Sequence, residues 1–453
     1  MWSAKTDKRY NKNFRLSSLS WQKEVYFILN IKNNKLYIGN ILAKKIAEKF
    51  GTPLYVYDVN KIKSSIKNIK SSFKKESVPF QIEYASKAFS IMAIYQLLKE
   101  EGVRCDAVSG GEIETAKKAS FPMKDISFNG NNKSKEELKM ALSFGVGTII
   151  IDNFYEIGLL KSLLKCKKYR QKVLIRINPG ITAHTHKFIV TGNQDSKFGF
   201  DLFSGQAKKA FQEIINFPQM ELVGLHAHIG SQIFDSQTYK KLTSLLFKTA
   251  YNWNFTPKII DVGGGFGIKY TKGDDPDDLS TFIKAICDEA KSDSNKYNIN
   301  LPEIWVEPGR SIVGPAGYTL YTIGSKKEAP KIRNYVAVDG GMGDNIRPAL
   351  YGAKYEGVLV NQVVPNETSK QFTLVGKYCE SGDVIIPKIK LDNPKSGDII
   401  AILDTGAYGF SMASNYNRNP RPAVVFVDRS KLQLVVKRET YNDITHLDLK
   451  YEV

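Results

Sequence analysis

The chain has 453 residues, which exceeds the usual size of a single domain, so we expect two domains. Hydrophobic residues make up 42% of the chain and charged residues 25%, values that are close to the globular average and exclude disordered and collagen-like chains. The formal net charge is +19, but the lysines are spread along the whole chain, so the charge does not indicate a nucleic-acid partner.

The apolar runs are only as long as a β-strand, and none approaches the roughly 18 to 20 residues that a membrane helix requires. The four cysteines, Cys105, Cys166, Cys287 and Cys379, are widely separated and form no CxxC pair. This spacing argues against a disulfide framework and a thiolate zinc site, and it fits a reducing compartment. We therefore expect a soluble, cytoplasmic protein that has no metal site and no membrane partner.

The first 20 residues are basic and contain one acidic residue, Asp7. They lack the apolar core of a secretory signal, so residues 1–20 are predicted to be a disordered basic extension, with an organellar transit segment as the alternative. Residues 21–45 have the pattern of a β-hairpin with Asn33-Asn34 at its turn. We expect these N-terminal strands to join a β domain.

Residues 46–310 alternate short β-rich apolar runs with longer segments of helical periodicity, which is typical of repeated βα units. The predicted strands are Phe80 to Ala85, Val103 to Val108, Ile126 to Asn129, Thr148 to Asp152, Val173 to Asn178, Leu222 to His228, Lys258 to Val262 and Ile304 to Glu307. Eight strands with helices between them predict an α/β fold with a closed, TIM-like (β/α)8 barrel rather than an open sheet.

Residues 311–453 have a different pattern, in which short strands alternate with turns that contain Gly, Pro and Asp. Examples are YVAVDGGMG and GDIIAILDTGAYG. This pattern predicts a second, all-β domain at the C-terminal side of the barrel.

Polar residues stand at or near the carboxyl ends of the predicted strands, where barrels of this kind carry their chemistry. In strand order they are Lys87, Asp106, Asn129, Asp152, Arg176, His228, the turn Gly263–Gly265 and Glu307. A turn of three glycines lets backbone N–H groups approach an anion, and barrels commonly hold phosphate after strand seven. An amine near a phosphate site, with an imidazole and a carboxylate, is the set needed to hold pyridoxal phosphate.

Each of these residues also has a structural explanation when it is taken alone. Lys87 would then be a surface lysine, His226 or His228 a structural histidine, and Glu307 a helix cap. The three glycines would be a tight turn. Their joint placement at strand ends favours the cofactor site.

Nine motifs occur in order along the chain. They are EYASKAF around Lys87, CDAVSGGE, HTHKFIVTG followed by DSKFG, LHAHIGSQ, DVGGGFG, EPGRS, IRPALY, CESGD and GAYGFSMASNYN. The set resembles the pyridoxal-phosphate decarboxylases with an alanine-racemase-like barrel and, within them, the diaminopimelate decarboxylase family. The departures, a basic extension before about residue 34 and a lysine-rich surface, affect none of these motifs.

The resemblance implies that Lys87 forms a Schiff base with pyridoxal 5′-phosphate, that His228 stacks on its ring, and that Glu307 pairs with the pyridine nitrogen. The other residues that it implies at the cofactor are Asp106, Ser231, Gly263, Gly264, Gly265, Pro308, Gly309, Arg310 and Tyr408. Of these, Ser231 and Gly265 are expected to bind the phosphate. Tyr408 is expected to reach the phosphate from the second domain.

For the substrate, the resemblance implies that Arg310, Arg347 and Tyr351 bind a distal carboxylate, with Tyr408 nearby. Glu380 is expected to bind the distal ammonium. Cys379 is expected to protonate the reacting carbon, and Lys87, His228 and Cys379 form the implied catalytic set. The resemblance further implies a homodimer in which Cys379 and Glu380 enter the active site of the partner.

The implied reaction is the decarboxylation of meso-2,6-diaminopimelate to L-lysine and CO2, the last step of lysine biosynthesis. An ornithine- or arginine-type decarboxylase is the nearest alternative, but its substrate has no distal carboxylate for Arg347 to bind. A non-catalytic homologue that binds pyridoxal phosphate would typically lack Lys87 or Cys379, and both are present. An RNA-binding protein would need a localised basic patch with aromatic platforms, and the sequence has none.

Overall fold

The computed structural model describes residues 29–181 and 195–452. The predicted basic extension, the first part of the predicted hairpin and the HTHKFIVTG motif lie outside the described residues. Within the described ranges, no helix is both long enough and apolar enough to cross a bilayer.

The described chain begins with a small antiparallel sheet. This sheet consists of β1 (Asn30–Lys32), β2 (Lys35–Ile38) and β3 (Ile41–Leu42). The chain continues with α1 (Ala43–Phe50), β4 (Leu54–Asp58) and α2 (Val59–Glu76). Asn33 and Asn34 form the turn between β1 and β2, with φ of 50° and 57°. Asparagine tolerates this left-handed conformation better than most side chains, which explains its use at a two-residue hairpin turn.

A closed barrel follows, and eight parallel strands in the described part of the chain form it. The eight barrel strands are β5 (Phe80–Ala85), β6 (Arg104–Ala107), β7 (Ile126–Phe128), β8 (Thr148–Ile151), β9 (Gln171–Asn178), β11 (Met220–His226), β12 (Ile259–Asp261) and β13 (Glu303–Val306). A short additional strand, β10 (Phe200–Asp201), pairs with β9. Pairing of β13 with β5 closes the barrel. Every predicted barrel strand is present to within two residues at each end, so the (β/α)8 prediction is confirmed.

Helices cover the outside of the barrel. They are α3 (Met92–Glu100), α4 (Gly110–Lys118), α5 (Lys135–Phe144), α6 (Phe154–Leu164), α7 (Gln206–Ile215), α8 (Ser236–Asn252) and α9 (Leu279–Tyr297). The start and end of α5 illustrate local control by the sequence. Ser134 and Glu137 form a capping box at its first turn, and Gly145 ends it in the left-handed conformation.

The interior of the barrel has two layers because side chains alternate along each strand. Trp305 forms an apolar floor with Ile150, Leu174, Val223 and Ile259. The next inward-pointing residues, towards the carboxyl ends of the strands, are polar and buried, and include Asp106, Asn129, Asp152, Arg176, His226, Asp261 and Glu307. The parallel arrangement therefore gathers these polar side chains at one end of the barrel.

The remaining residues form the predicted β-rich domain. Its elements are α10 (Arg310–Val313), β14 (Gly317–Ala329), β15 (Arg333–Val338), α11 (Arg347–Tyr351), β16 (Gly357–Leu359), β17 (Lys370–Val375), β18 (Val384–Leu391), β19 (Ile399–Ile402), β20 (Ala423–Asp428), β21 (Lys431–Val436) and α12 (Tyr441–Thr445). The main sheet has the strand order β18-β17-β15-β14-β4-β20-β21, and β19 also pairs with β14.

Strand β4 belongs to this second sheet, although it precedes the barrel in the chain. It pairs antiparallel with β14 and parallel with β20, and all five of its residues are buried. The predicted domain division assigns residues 46–310 to the barrel, whereas the chain passes through the β domain at β4 before the first barrel strand begins at Phe80. A short strand that is buried on both faces has no alternation, so its sequence does not indicate which sheet it joins.

A buried ion pair connects the loop after β7 to helix α6. The Nζ atom of Lys133 lies 2.8 Å from Oε1 of Glu156, and both side chains are 1% exposed. Lys133 also donates hydrogen bonds to the carbonyl oxygens of Gly130 and Ile150, at 2.9 and 2.7 Å. These three close contacts of the Lys133 ammonium hold the loop at the carboxyl end of the barrel.

We expect Lys133→Met to destabilise the protein by about 3–5 kcal/mol, because the substitution leaves the Glu156 carboxyl buried without its cation. Urea unfolding of the full chain measures this loss. Lys161→Met is the matched control, since it breaks a half-exposed pair with Glu213 and should cost less than about 1 kcal/mol. Equal losses in the two variants would contradict the structural role of the buried pair.

Candidate active site

A cavity of about 880 Å³ opens at the carboxyl ends of the barrel strands, where the β domain adjoins them. The residues that line it include the predicted Lys87, His228, Ser231, Arg310, Arg347, Tyr351 and Tyr408. The structure thus brings seven of the predicted site residues together, from both domains.

Lys87 lies in the short 3₁₀ turn Ser86–Ala88 that follows β5. The backbone N–H of Tyr408 donates to the carbonyl of Ala88 at 2.8 Å, so a loop of the β domain is fastened to this turn. Burial alone would lower the pKa of the Lys87 amine, but Asp106, followed by Tyr408 and Glu307, raises it above its ordinary value. The amine is therefore held among acidic groups that stabilise positive charge.

Glu307 follows β13 and points into the barrel. Its Oε1 lies 3.1 Å from Nε2 of His226 and accepts a hydrogen bond from the Asn129 amide at 3.4 Å. Burial alone would raise the pKa of Glu307, but His226 and then Lys87 lower it to about 2. Glu307 is therefore ionised at neutral pH.

Other carboxyl groups in the same layer behave differently. Burial raises the pKa of Asp106 and of Asp261 well above the ordinary value, and the charge of Glu307 raises both further. Burial also raises the pKa of Glu83 to about 8, although Arg104 lies 3.2 Å away. Among these four carboxyl groups, Glu307 alone has its pKa lowered, and burial shifts the other three in the opposite direction.

His228 lies at the cavity wall beside the glycine turn. Its Nδ1 accepts a hydrogen bond from the N–H of Gly264 at 3.1 Å, so this nitrogen carries no proton. Burial, followed by the charge of Lys87, lowers the pKa of His228 well below its ordinary value. The ring of His228 is therefore neutral at neutral pH.

The glycine turn leaves no room for side chains. Gly263 and Gly265 have φ of +70° and +102°, which other residues rarely adopt. A Cβ on Gly264 would lie 1.9 Å from the carbonyl oxygen of Glu307, and one on Gly265 would lie 2.0 Å from that of Gly230. The backbone of the turn consequently stays open to an anion.

Two arginines share an aromatic environment at the other side of the cavity. Arg310 donates to the hydroxyl of Tyr270 at 2.7 Å and to that of Ser231 at 2.9 Å. The Arg347 guanidinium lies 4.9 Å from the centre of the Tyr270 ring and donates to the hydroxyl of Tyr355. Tyr270 thus holds both guanidinium groups in one wall of the cavity.

Tyr408 has φ of 61°, and its ring lies 4.7 Å from the Arg310 guanidinium. Pro308 and Gly309 lie behind the Lys87 turn. The carbonyl of Pro308 accepts a hydrogen bond from the N–H of Ala85 at 3.3 Å, and a Cβ on Gly309 would lie 2.9 Å from that of Ala88. These two residues therefore support Lys87 from behind rather than from the cavity.

Cys379 and Glu380 are exposed and lie outside the cavity lining. The N–H of Cys379 donates to the Asn417 side chain at 3.0 Å, and the carboxylate of Glu380 accepts from the N–H of Gly382 at 3.2 Å. A single chain therefore does not bring these two predicted residues to Lys87.

The comparisons with known proteins agree with this geometry. Residues 59–314 match the family described as pyridoxal-dependent decarboxylase, pyridoxal binding domain. A diaminopimelate decarboxylase of Bacillus subtilis (strain 168) is 51% identical over 425 residues, which cover 93% of this chain and 97% of that protein. The chain belongs to the diaminopimelate decarboxylase family.

Solved structures extend the comparison. The crystal structure of a diaminopimelate decarboxylase from M. jannaschii in co-complex with L-lysine has a TM-score of 0.88 at 35% identity, and the match covers 93% of this chain and 98% of that one. A lysine/ornithine decarboxylase from Vibrio vulnificus has a TM-score of 0.71 at 20% identity, over 85% of this chain and 97% of that one. This second likeness shows a shared fold alone.

Sequence reasoning missed Tyr270 and treated His226 only as a possible structural histidine. The position of His226 could have been found, because His226 and His228 are two residues apart and thus face the same side of a strand. Tyr270 has no comparable signal, since it lies in a loop whose path depends on the tertiary structure.

We expect Gly264→Ala to destabilise the protein by about 1–3 kcal/mol or more, because the new Cβ would overlap the Glu307 carbonyl. The same shift should weaken binding of pyridoxal 5′-phosphate, which titration with the free cofactor measures. Gly158→Ala is the control, since a Cβ on Gly158 in helix α6 meets no atom within 4 Å. Unchanged stability and cofactor affinity in Gly264→Ala would show that the turn can move freely.

Proposed function

We propose that the protein decarboxylates meso-2,6-diaminopimelate to L-lysine and CO2, with pyridoxal 5′-phosphate bound beside Lys87. The observation that carries the proposal is the presence of Arg310 and Arg347 in the same cavity as Lys87. The relatives at 51% and 35% identity are named diaminopimelate decarboxylase, which supports the proposal. One of these related structures contains L-lysine, the product of the proposed reaction.

The residues of the cavity fit pyridoxal phosphate. The open backbone of the glycine turn and the Ser231 hydroxyl suit a phosphate group, and the Lys87 amine suits an aldehyde carbon. The ionised Glu307 suits a protonated pyridine nitrogen, and the neutral ring of His228 suits stacking on an aromatic face. When bound, the cofactor supplies an electron sink for the carbanion that the loss of CO2 leaves.

Glu307 sets the electrostatics of the reaction. Because its pKa is about 2, it stays ionised at neutral pH and can hold a proton on the pyridine nitrogen by charge pairing. Burial raises the pKa of Asp106, Asp261 and Glu83, so it favours their neutral forms beside this charge. Its charge is fixed before the reaction begins, so little reorganisation is needed when the electrons move.

The two arginines select the substrate. Arg310 and Arg347 are both largely buried, so a ligand without a second carboxylate would leave two desolvated cations unpaired. Sites that reject ligands in this way can discriminate by roughly 10⁴ to 10⁵. Ornithine and lysine lack the second carboxylate, which favours diaminopimelate over the ornithine-type alternative. Tyr351 also lines this part of the cavity and can add a hydrogen bond.

We also propose a homodimer with shared active sites and a cytoplasmic location. Cys379 and Glu380 are exposed and lie outside the cavity lining, so a role in proton donation or ammonium binding requires a second chain. Large apolar side chains lie exposed near the same surface, where Leu447 and Leu449 are 80% and 94% exposed. Such patches typically mark protein interfaces. The free, unpaired cysteines favour a reducing compartment.

The C-terminal residues adjoin the loop that contacts Cys379. Arg418 pairs with Asp448 at 2.5 Å, and the neighbouring Asn417 accepts the hydrogen bond from the N–H of Cys379. One continuous surface therefore carries both Cys379 and the exposed apolar residues, as a shared-site dimer requires.

Bound pyridoxal phosphate should give the protein a visible absorption band through its bond to the Lys87 amine, and Lys87→Ala should abolish that band. Absorption spectroscopy with added cofactor measures it. Lys99→Ala, at an exposed lysine on helix α3, should keep the band. An unchanged spectrum in Lys87→Ala would refute the cofactor assignment.

Arg347→Ala should raise KM for diaminopimelate roughly 10- to 150-fold, which corresponds to about 1.5–3 kcal/mol of lost charge-assisted hydrogen bonding. The effect on kcat should be smaller, because the guanidinium binds the end of the substrate that does not react. Steady-state CO2 release measures both constants, with the exposed Arg333→Ala as the control. An unaltered KM would remove Arg347 from the substrate site.

Mixing inactive Lys87→Ala subunits with inactive Cys379→Ala subunits should restore activity if the active sites are shared. Random exchange at equal amounts should give about one quarter of the wild-type activity, since half of the dimers are mixed and each has one intact site. The assay is CO2 release after subunit exchange in mild denaturant. Complete inactivity of mixtures that contain mixed dimers would argue against shared sites.

A further inference from the structure

Three buried side chains form a row below the cavity. His226 ends β11 and Asp261 ends β12, and the strand register places them side by side. Glu307 follows the neighbouring strand β13. Their exposures are 0%, 0% and 2%, and one ring nitrogen and one oxygen from each carboxyl group lie within 4.8 Å of one another. Because inward-pointing residues of adjacent parallel strands meet inside the barrel, this contact follows directly from the register.

The hydrogen positions in this row can be worked out from charge and distance. Burial lowers the pKa of His226 below its ordinary value, so the ring is neutral and carries one N–H. The Nε2 atom lies 3.1 Å from Oε1 of the ionised Glu307. A carboxylate accepts but cannot donate, and the hydrogen therefore belongs on Nε2.

The second ring nitrogen of His226, Nδ1, has no donor among the described residues. With the hydrogen on Nε2, the Nδ1 atom is an acceptor without a hydrogen-bond partner in residues 29–181 and 195–452, and the 3.1 Å approach of Nε2 to Glu307 is a close contact rather than a fully aligned hydrogen bond. Asp261 accepts from the N–H of Gly263 through Oδ1 at 2.9 Å, whereas its Oδ2 has no partner in the same ranges. Burial and the charge of Glu307 both raise the pKa of Asp261, which favours its neutral form beside the ring.

We infer that His226 is a positioning residue, which directs its Nε2–H towards Glu307 at 3.1 Å and holds that carboxylate ionised and oriented towards the cavity, with Asp261 beside it on the neighbouring strand. The inference deepens the proposed function and rests on the role of Glu307 in it. His226 touches neither substrate nor cofactor. It acts by removing the rotational freedom of Glu307 and by stabilising its charge.

The charges around His226 are consistent with this assignment. Glu307 favours a protonated ring, whereas Arg176 and Lys87 disfavour it. His228, two residues along the chain, is itself neutral and adds no opposing charge. Burial decides the balance, because it opposes any charge on the ring.

Nitrogen NMR of the full-length protein with labelled histidine tests the tautomer directly, both with and without pyridoxal phosphate. The chain has five histidines, and the spectrum of His226→Gln identifies the signals of His226. We expect a neutral ring with its hydrogen on Nε2 and no titration between about pH 5.5 and 8, the range in which an ordinary histidine changes charge. A hydrogen on Nδ1, or an ordinary titration, would overturn the inference. This readout needs no activity, so its failure is distinct from failure of the proposed function.

Kinetics of two variants test the consequence for catalysis. His226→Leu removes the donor to Glu307 and should lower kcat roughly 10- to 100-fold while KM stays within about twofold, because the substrate clamp is untouched. His226→Gln retains an N–H donor and should recover most of the loss. Equal loss of kcat in both variants would overturn the inference, since packing alone would then explain the role of His226.

Two controls complete the design. Asp293→Asn alters an equally buried carboxyl on helix α9, and it should change neither kcat nor the His226 signals.

The side chains of His226, Asp261 and Glu307 could also hold a divalent cation, since each offers a ligand atom. Elemental analysis of the purified protein should find no stoichiometric metal, and one equivalent of metal lost in His226→Leu would overturn the inference.

Discussion

The structure depends on one geometric constraint, the closure of parallel strands whose side chains alternate between the inside and the outside of a barrel. Trp305 lies on the apolar floor and Glu307, two residues later, lies in the polar layer. The same step of two residues separates Ile259 from Asp261 on the neighbouring strand. Because all strands run in the same direction, the polar residues reach one end together. The active site is thus the upper layer of the barrel core.

Burying so many polar groups is costly unless their charges are distributed selectively. In the barrel the pKa of Glu307 is lowered to about 2, whereas burial raises the pKa of Asp106, Asp261 and Glu83. The difference arises from position, since His226 and Lys87 lower the pKa of Glu307, whereas the charge of Glu307 raises the pKa of Asp106, Asp261 and Glu83. A single charge in a poorly solvated layer is well suited to act on a bound ring, because few water dipoles screen it.

Much of this arrangement could be predicted from the sequence. Each barrel strand was located by its apolar run, and Lys87 and Glu307 by their places after strands. Three features could not be predicted from local pattern: the sheet that β4 joins, the place of Tyr270 in the site, and the position of Cys379 outside the cavity lining. A strand buried on both faces has no alternation, and a loop tyrosine has no periodicity. The surroundings of Cys379 depend on how distant parts of the chain meet, which short-range patterns do not encode.

The position of β4 has a consequence for synthesis on the ribosome. Its two neighbours in the sheet, β14 and β20, begin at Gly317 and Ala423, so β4 leaves the exit tunnel long before either of them. The barrel can complete its own pairing first, since β5 and β13 are both available by Val306. Until then β4 is an apolar strand with two unpaired edges, a state that invites aggregation and chaperone binding. The two domains are therefore inseparable as expression units, because a cut between them would leave the β sheet without the strand that joins β14 to β20.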